Sequence, residues 1–341
     1  MDQLQTRLDA LEQQVQTLTQ HTHTVIRRLR WWRGLACGAV VLAVLTWALP
    51  AGTAQEQGLA QRVAALEVLL KPFSRERNEV FITGANLHIR NGLGSTDCFD
   101  EQVNEIPGCP NGLGNLIVGY NEPFVLGENI RTGSHNVVVG EGHSFSRFGG
   151  LVVGRFNTIS GVLAAVSGGE FNTASGPGAV VSGGVSNTAS GNNSAVGGGV
   201  ENTASGDFVV ISGGQFNTAS GFAAVVGGGN NNTASGGWST VSGGQSNTAS
   251  GNFASVSGGG FNPLTEEGAG NTASGDLSSV SGGNGNTASG VFATVSGGRG
   301  NTANGEAATV SGGQNITQET EAGWAAGSEA DEVVVGNFRS P

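Results

Sequence analysis

Residues 202–221 read NTASGDFVVISGGQFNTASG, one full period of a 15-residue repeat and the opening of the next. The Asn that begins the motif recurs at Asn157, Asn172, Asn187, Asn202, Asn217, Asn232, Asn247, Asn271, Asn286 and Asn301. Eight of these ten pentapeptides read NTASG, with NTISG at 157 and NTANG at 301, so the tract is a register of near-identical units. Every step is 15 residues except the 24 between Asn247 and Asn271, where nine extra residues, PLTEEGAGN, occupy 263–271. An insertion confined to a turn is what a stack of rungs tolerates.

A second fixed column lies half a period away. It holds Val166, Val181, Val196, Ile211, Val226, Val241, Val256, Val280, Val295 and Val310, each followed by Ser-Gly-Gly or Gly-Gly-Gly. Each unit therefore carries two short strands and two Gly-rich turns. Side chains alternate along a strand. In the first strand this points Ala164 and Val166 inward, and in the second Ala174. Thr173 and Ser175 then point outward, while Asn172 turns in at the bend, where stacked amides can bond each other and the backbone. Glycines are expected to supply the positive φ of the turns. The predicted fold is an all-β parallel β-roll, or β-solenoid, of 15-residue rungs. At about 4.8 Å per rung, twelve or so rungs make a rod of roughly 55–60 Å. Its Ala/Val core is thin, so stacking has to stabilise it.

Composition agrees with order through repetition. Sixty of 341 residues are Gly, far above the usual ~7%, yet 37% of the chain is apolar and only 12% charged, the reverse of a disordered tract. A net charge of −11 argues against a nucleic-acid partner, which requires a basic face.

The N-terminal third has a different texture. Leu4, Leu11, Leu18 and Val25, with Leu8, Val15, Thr22 and Leu29, keep a heptad over residues 1–30, predicting a coiled coil. Residues 31–54 hold an apolar run from Gly34 to Leu49, preceded by Arg27, Arg28, Arg30 and Arg33 and accompanied by Trp31, Trp32 and Trp47. This segment reads either as an uncleaved signal-anchor helix or as a cleaved signal peptide, and both imply that everything after about residue 55 is exported, to the cell envelope or cell surface. A shorter heptad, Leu59, Val63, Leu66 and Leu70, spans 55–72 and stops at Pro72. Residues 78–114 form a β adaptor that opens with the strand-and-turn segment FITGANLHIRNG. The β-roll runs from 115 to 314, with NLIVG, HNVVVGEG and GGLVVG as its irregular first rungs, and 315–341 form a C-terminal cap. Cys98 and Cys109 lie in a loop-like stretch without metal-ligand spacing. In an exported chain they are expected to form a disulfide, the alternative being two free thiols.

The repeats resemble the head repeats of trimeric autotransporter adhesins, the YadA-type or Hep/Hag repeats. The resemblance rests on NTASGDFVVISGGQFNTASG and NTASGNFASVSGG, and covers about residues 115–314. It implies a left-handed parallel β-roll, three of which pack about an axis on a coiled-coil stalk, and it implies bacterial surface display and adhesion to a host-surface or matrix ligand. The family ends in a β-barrel anchor. This chain ends EADEVVVGNFRSP, without barrel-length strands, and its membrane segment is N-terminal, so the order is inverted.

No residues assemble into a catalytic pattern, and an enzyme is not expected. His21, His23, His88, His135 and His143 lack a matched carboxylate or Cys pair. The serines are repeat residues, Asp207 and Asp276 are too few for a calcium-binding roll, and no GxxxxGK[ST] is present. No cofactor is expected. Two surface features remain. One is the Thr-x-Ser ladder, which includes Thr173/Ser175, Thr188/Ser190, Thr203/Ser205 and Thr218/Ser220 and resembles the flat face of solenoid ice-binding proteins. The other is an apolar row, Leu163, Phe208, Trp238, Phe253, Leu277 and Phe292, expected to point away from the chain's own roll as a seam between copies. The reading is a membrane-anchored, adhesin-like homotrimer. Ice or crystal-surface binding and a passive envelope spacer are the alternatives.

Overall fold

The computed structural model describes residues 56–100, 104–105, 109–124, 129–260, 269–327 and 334–337. The heptads of 1–30 and the apolar segment of 31–54 lie outside the described residues. The chain divides into two units, Met1–Leu87 and His88–Pro341.

In the first unit, helix α1 (Glu56–Leu70) ends just before Pro72 and is followed by an antiparallel hairpin of β1 (Phe73–Glu76) and β2 (Glu79–Ile82). β structure thus begins at Phe73, five residues before the Asn78 expected from the sequence. The remainder of FITGANLHIRNG beyond Ile82 forms no strand. Val63, Leu66 and Leu70 are half-buried, and no residue from 61 to 87 is fully buried. A lone helix of this length and a lone two-stranded hairpin are each marginal in water.

The second unit is the rod. Its first sheet holds fifteen strands and its second holds twelve, and through the repeats successive strands alternate between them, so each rung adds one strand to each sheet. The first sheet starts with Leu116–Val118, Val137–Glu141 and Leu151–Arg155, then continues through two-residue strands such as Ala165–Val166 and Val210–Ile211. The second sheet stacks pairs such as Thr173–Ala174 on Thr188–Ala189. Pairing within the rod is parallel and in register, Val181 on Val196 and Ala189 on Ala204. The 24-residue step does not disturb it, since Thr248 pairs with Thr272 and Val256 with Val280. At the C-terminal end Val334–Asn337 pairs antiparallel with Gly323–Ala326.

The core is one continuous file of buried residues from Val138 to Ala325. It takes Val166 and its equivalents to Val310, Ala174 and its equivalents, and the small site two before each Val. One buried Val contributes about 1.5–3 kcal/mol, whereas ordering fifteen residues costs on the order of 15–30 kcal/mol of backbone entropy. A single rung therefore cannot stand, and the ladder bonds from rung to rung carry the difference.

The turns refine one expectation. Gly184 does have φ +85°, but the NTASG glycine Gly176 does not have positive φ. Gly is required there because a Cβ would meet the Gly191 carbonyl oxygen of the next rung at 2.0 Å. Much of the left-handed backbone falls on other residues, including Phe171, Phe208, Trp238 and Phe253. Cys98 and Cys109 form a disulfide with a Cα–Cα distance of 5.4 Å, enclosing a short hairpin of β3 (Phe99–Asp100) and β4 (Asn104–Glu105).

Candidate functional surfaces

The Asn column lies inside the rod. Asn157, Asn172, Asn187, Asn202, Asn217, Asn232, Asn247, Asn271, Asn286 and Asn301 are all fully buried. Each side-chain oxygen accepts the backbone N–H at the equivalent position of the next rung, as Asn202 Oδ1 does from Asn217 N at 3.0 Å. Each Nδ2 donates to two backbone carbonyls, for Asn217 those of Gly213 at 3.1 Å and Gly229 at 3.0 Å and for Asn157 those of Val153 and Gly169. Both ends of the amide are satisfied, which makes the column a structural spine and leaves it closed to a ligand.

His143 continues this spine one rung before Asn157, and Asn121 Oδ1 in turn accepts the His143 backbone N–H at 2.9 Å. His143 is buried, its Nδ1 accepts the Asn157 backbone N–H at 3.2 Å, and its Nε2 donates to the Val139 carbonyl at 3.0 Å. The ring thus reproduces the bonds of a ladder Asn and has to be neutral, with the proton on Nε2. Burial pushes its pKa below the usual histidine value. Its role was not legible in the sequence, because it stands 14 rather than 15 residues before Asn157. Among the described residues no group of three or more His, Cys, Asp or Glu is placed to hold a metal ion.

The Thr-x-Ser ladder lies on the outer face of the second sheet. Thr173, Thr188, Thr203 and Thr218 are half-buried and paired rung to rung. Ser175 is half-buried, and Ser190, Ser205 and Ser220 are exposed. The Thr column is unbroken from Thr158 to Thr317.

Leu163, Phe208, Trp238, Phe253, Leu277 and Phe292 are exposed, but not through strand alternation. They sit in the turn between the second strand of one unit and the first of the next, with φ between 54° and 60°, and this left-handed backbone aims them outward. The structure adds Phe222, one place earlier in its own turn, and links four rings along the rod. Centroids are 5.6 Å apart for Phe208–Phe222, 5.0 Å for Phe222–Trp238 and 5.0 Å for Trp238–Phe253, the last pair stacked at 2°. The opposite turn carries a second cluster, Phe124, Phe156 and Phe171, with Phe156 and Phe171 stacked at 5.3 Å and the Arg155 guanidinium 4.9 Å over Phe156. The Phe before the motif Asn was its signal in the sequence, as in FNTAS at 171.

The outer face of the first sheet forms one further column, traced by strand pairing. It runs Leu116, Val137, Leu151, Ala165, Val180, Ala195, Val210 and Val225, then Thr240, Ser255, Ser279, Thr294 and Thr309, and closes on Trp324. The first eight are apolar and the next five carry hydroxyls. Elsewhere the surface is held by inter-rung polar pairs. Asp207 accepts from the Asn192 backbone and side chain at 2.8 and 3.0 Å, and the Asn192 amide holds its carboxyl below the usual range. Arg155 is paired with Glu170, which raises the guanidinium pKa.

No protein-family model matches the chain, and no curated protein matches it.

Proposed function

We propose that this chain is a non-catalytic surface or envelope protein, a trimeric adhesin-like β-roll held at a membrane by its N-terminal segment. The observation that carries the reading is exposed apolar surface repeated at rung spacing on a rod whose core is already full. Soluble monomers seldom expose such continuous apolar patches. The α1–hairpin unit supports the same reading, because none of residues 61–87 is fully buried and the unit keeps heptad positions that further copies could cover. The Cys98–Cys109 disulfide supports export to an oxidising compartment, and the resemblance of the repeats to adhesin heads supports display. No helix among the described residues is long and apolar enough to cross a membrane, so the anchor rests on the sequence of 31–54. The test is the mass of the full chain in mild detergent, by light scattering on a sizing column. Three chain masses are expected, and the mass of one chain rejects the proposal.

The unbroken Thr column favours a second reading, binding to ice or another crystal surface. It predicts thermal hysteresis that disappears when Thr203, Thr218 and Thr233 are changed together to Leu. Hysteresis unaffected by those changes rejects the ladder as its source.

A further inference from the structure

The outer column of the first sheet changes character part-way along the rod. From Val137 to Val225 it is apolar, and from Thr240 to Thr309 it carries hydroxyls, on the same backbone position in the same register. The second half is an internal control: Thr and Ser fit this site, so the fold does not require Val or Ala there. Val137, Val180 and Val210 are nevertheless 37%, 36% and 39% exposed. The central rings of the aromatic row pack faces and edges on one another, Trp238 lying flat on Phe253, yet Phe208, Phe222, Trp238 and Phe253 stay 52%, 47%, 52% and 54% exposed. The Val/Ala strip differs in kind: it is flat, in register from rung to rung and built of small side chains that a second sheet can approach closely.

We infer that the strip from Val137 to Val225 is where copies of this chain meet, and that the hydroxyl-bearing rungs from Thr240 onward leave the contact and face solvent. This rests on the self-association proposed above and names its surface. A second copy is the occupant for two reasons. A flat strip corrugated at the strand spacing of about 4.8 Å is matched best by a surface of the same repeat, as when two sheets pack face to face. The area also fits tethered copies. A strip about 30 Å long and ~10 Å wide covers on the order of 300 Å², well under the roughly 800 Å² per partner of a self-sufficient interface. A contact that small holds when a tether raises the local concentration to about millimolar, and the heptads at 1–30 and 55–72 precede these rungs in the chain.

The test is thiol cross-linking of the full chain in mild detergent, in a Cys37→Ser background so that only introduced thiols react. Val180→Cys, Phe253→Cys and Thr294→Cys are all at accessible sites and are treated with a short bis-maleimide. The expected result is cross-linked chains for Val180→Cys and at least tenfold less for Thr294→Cys. Equal cross-linking at 180 and 294 overturns the inference, since copies would then touch along the whole face. Cross-linking at 253 but not at 180 also overturns it and moves the contact to the aromatic row, leaving the oligomer standing. No cross-linking at any site, with the mass of a single chain, removes both the inference and the oligomeric rod.

Discussion

Replacing Asn217 by Ala tests the spine directly. The side chain is fully buried and makes bonds at both ends. Its loss leaves the Asn232 backbone N–H, now bonded to Asn217 Oδ1 at 3.0 Å, without that acceptor inside the rod. It also takes a donor from the Gly213 carbonyl, whereas the Gly229 carbonyl keeps the Gln215 N–H at 2.9 Å. An orphaned buried N–H costs about 1–3 kcal/mol, and the lost carbonyl bond about 0.5–1.5 kcal/mol more. The void left by the amide adds on the order of 1 kcal/mol. The expected destabilisation is therefore about 3–5 kcal/mol. Asn217→Asp should cost at least as much, because the carboxylate sets oxygen against the two glycine carbonyls and buries a charge. Gln215→Ala, exposed in the same rung, should stay within about 0.5 kcal/mol. Urea unfolding followed by circular dichroism at one fixed protein concentration measures all three. Hydrogen exchange should show the loss concentrated in the rungs beside 217. A loss below about 1 kcal/mol for Asn217→Ala, or one no larger than for Gln215→Ala, would refute the claim that the Asn ladder holds the rungs.

Three further outcomes are expected. His143 is neutral in the folded rod and its pKa is depressed from 6.5. Its contribution is therefore complete above the unfolded-state value and is lost as pH falls through the window down to the folded-state pKa, because the unfolded chain binds the proton first. Arg131 acts in the same direction, and Glu141 and Arg155 on the flanking strands lie 3.8 Å from each other at the exposed surface. His143→Asn should flatten the pH dependence of the melting temperature below pH 6.5 while keeping the ladder bond, and an unchanged profile would remove His143 from this role. Ser194, Ser239 and Ser278 place hydroxyls without a hydrogen-bond partner in the core, at a site that is Ala in most rungs. Changing any of them to Ala should stabilise the rod by about 1 kcal/mol, read as a higher melting temperature, and destabilisation would show that the hydroxyl is bonded. Reducing the Cys98–Cys109 disulfide, which closes 11 residues of sequence, should cost the adaptor loop roughly 3 kcal/mol. Exchange should then quicken at 99–105 and stay unchanged beyond residue 157, whereas rod-wide loosening would contradict local closure.

The repeat made the rod readable because its two constraints are periodic. The inward Val and Ala columns follow from alternation, and the Asn follows from the need to satisfy a buried bend. The elements that were not readable are those set by individual contacts. His143 replaces an Asn only because an imidazole can present an acceptor and a donor at nearly amide spacing, which a 15-residue count skips over. Phe222 joins the aromatic row from the neighbouring turn position, and no strand-alternation argument reaches a residue in a turn. β1 was hidden because FSRERNEVFI lacks a Gly or Asn-Gly turn signal, and Arg77 supplies the left-handed turn residue with φ 52°. The apolar-to-hydroxyl change in the outer column is written in the sequence, but Val180 and Thr294 are equivalent only once strand pairing places them in one file.

The nine residues inserted at 263–271 leave Thr248 on Thr272 and Val256 on Val280. The rod thus separates what its rungs must preserve from what its turns carry. Because NTASG units are interchangeable, unequal exchange between near-identical gene segments would lengthen or shorten the rod by whole rungs without creating a new folding problem. A turn could acquire a loop in the same way. Length and decoration can then drift independently, and the same frame would accept a foreign peptide at the 263 turn as a presentation scaffold.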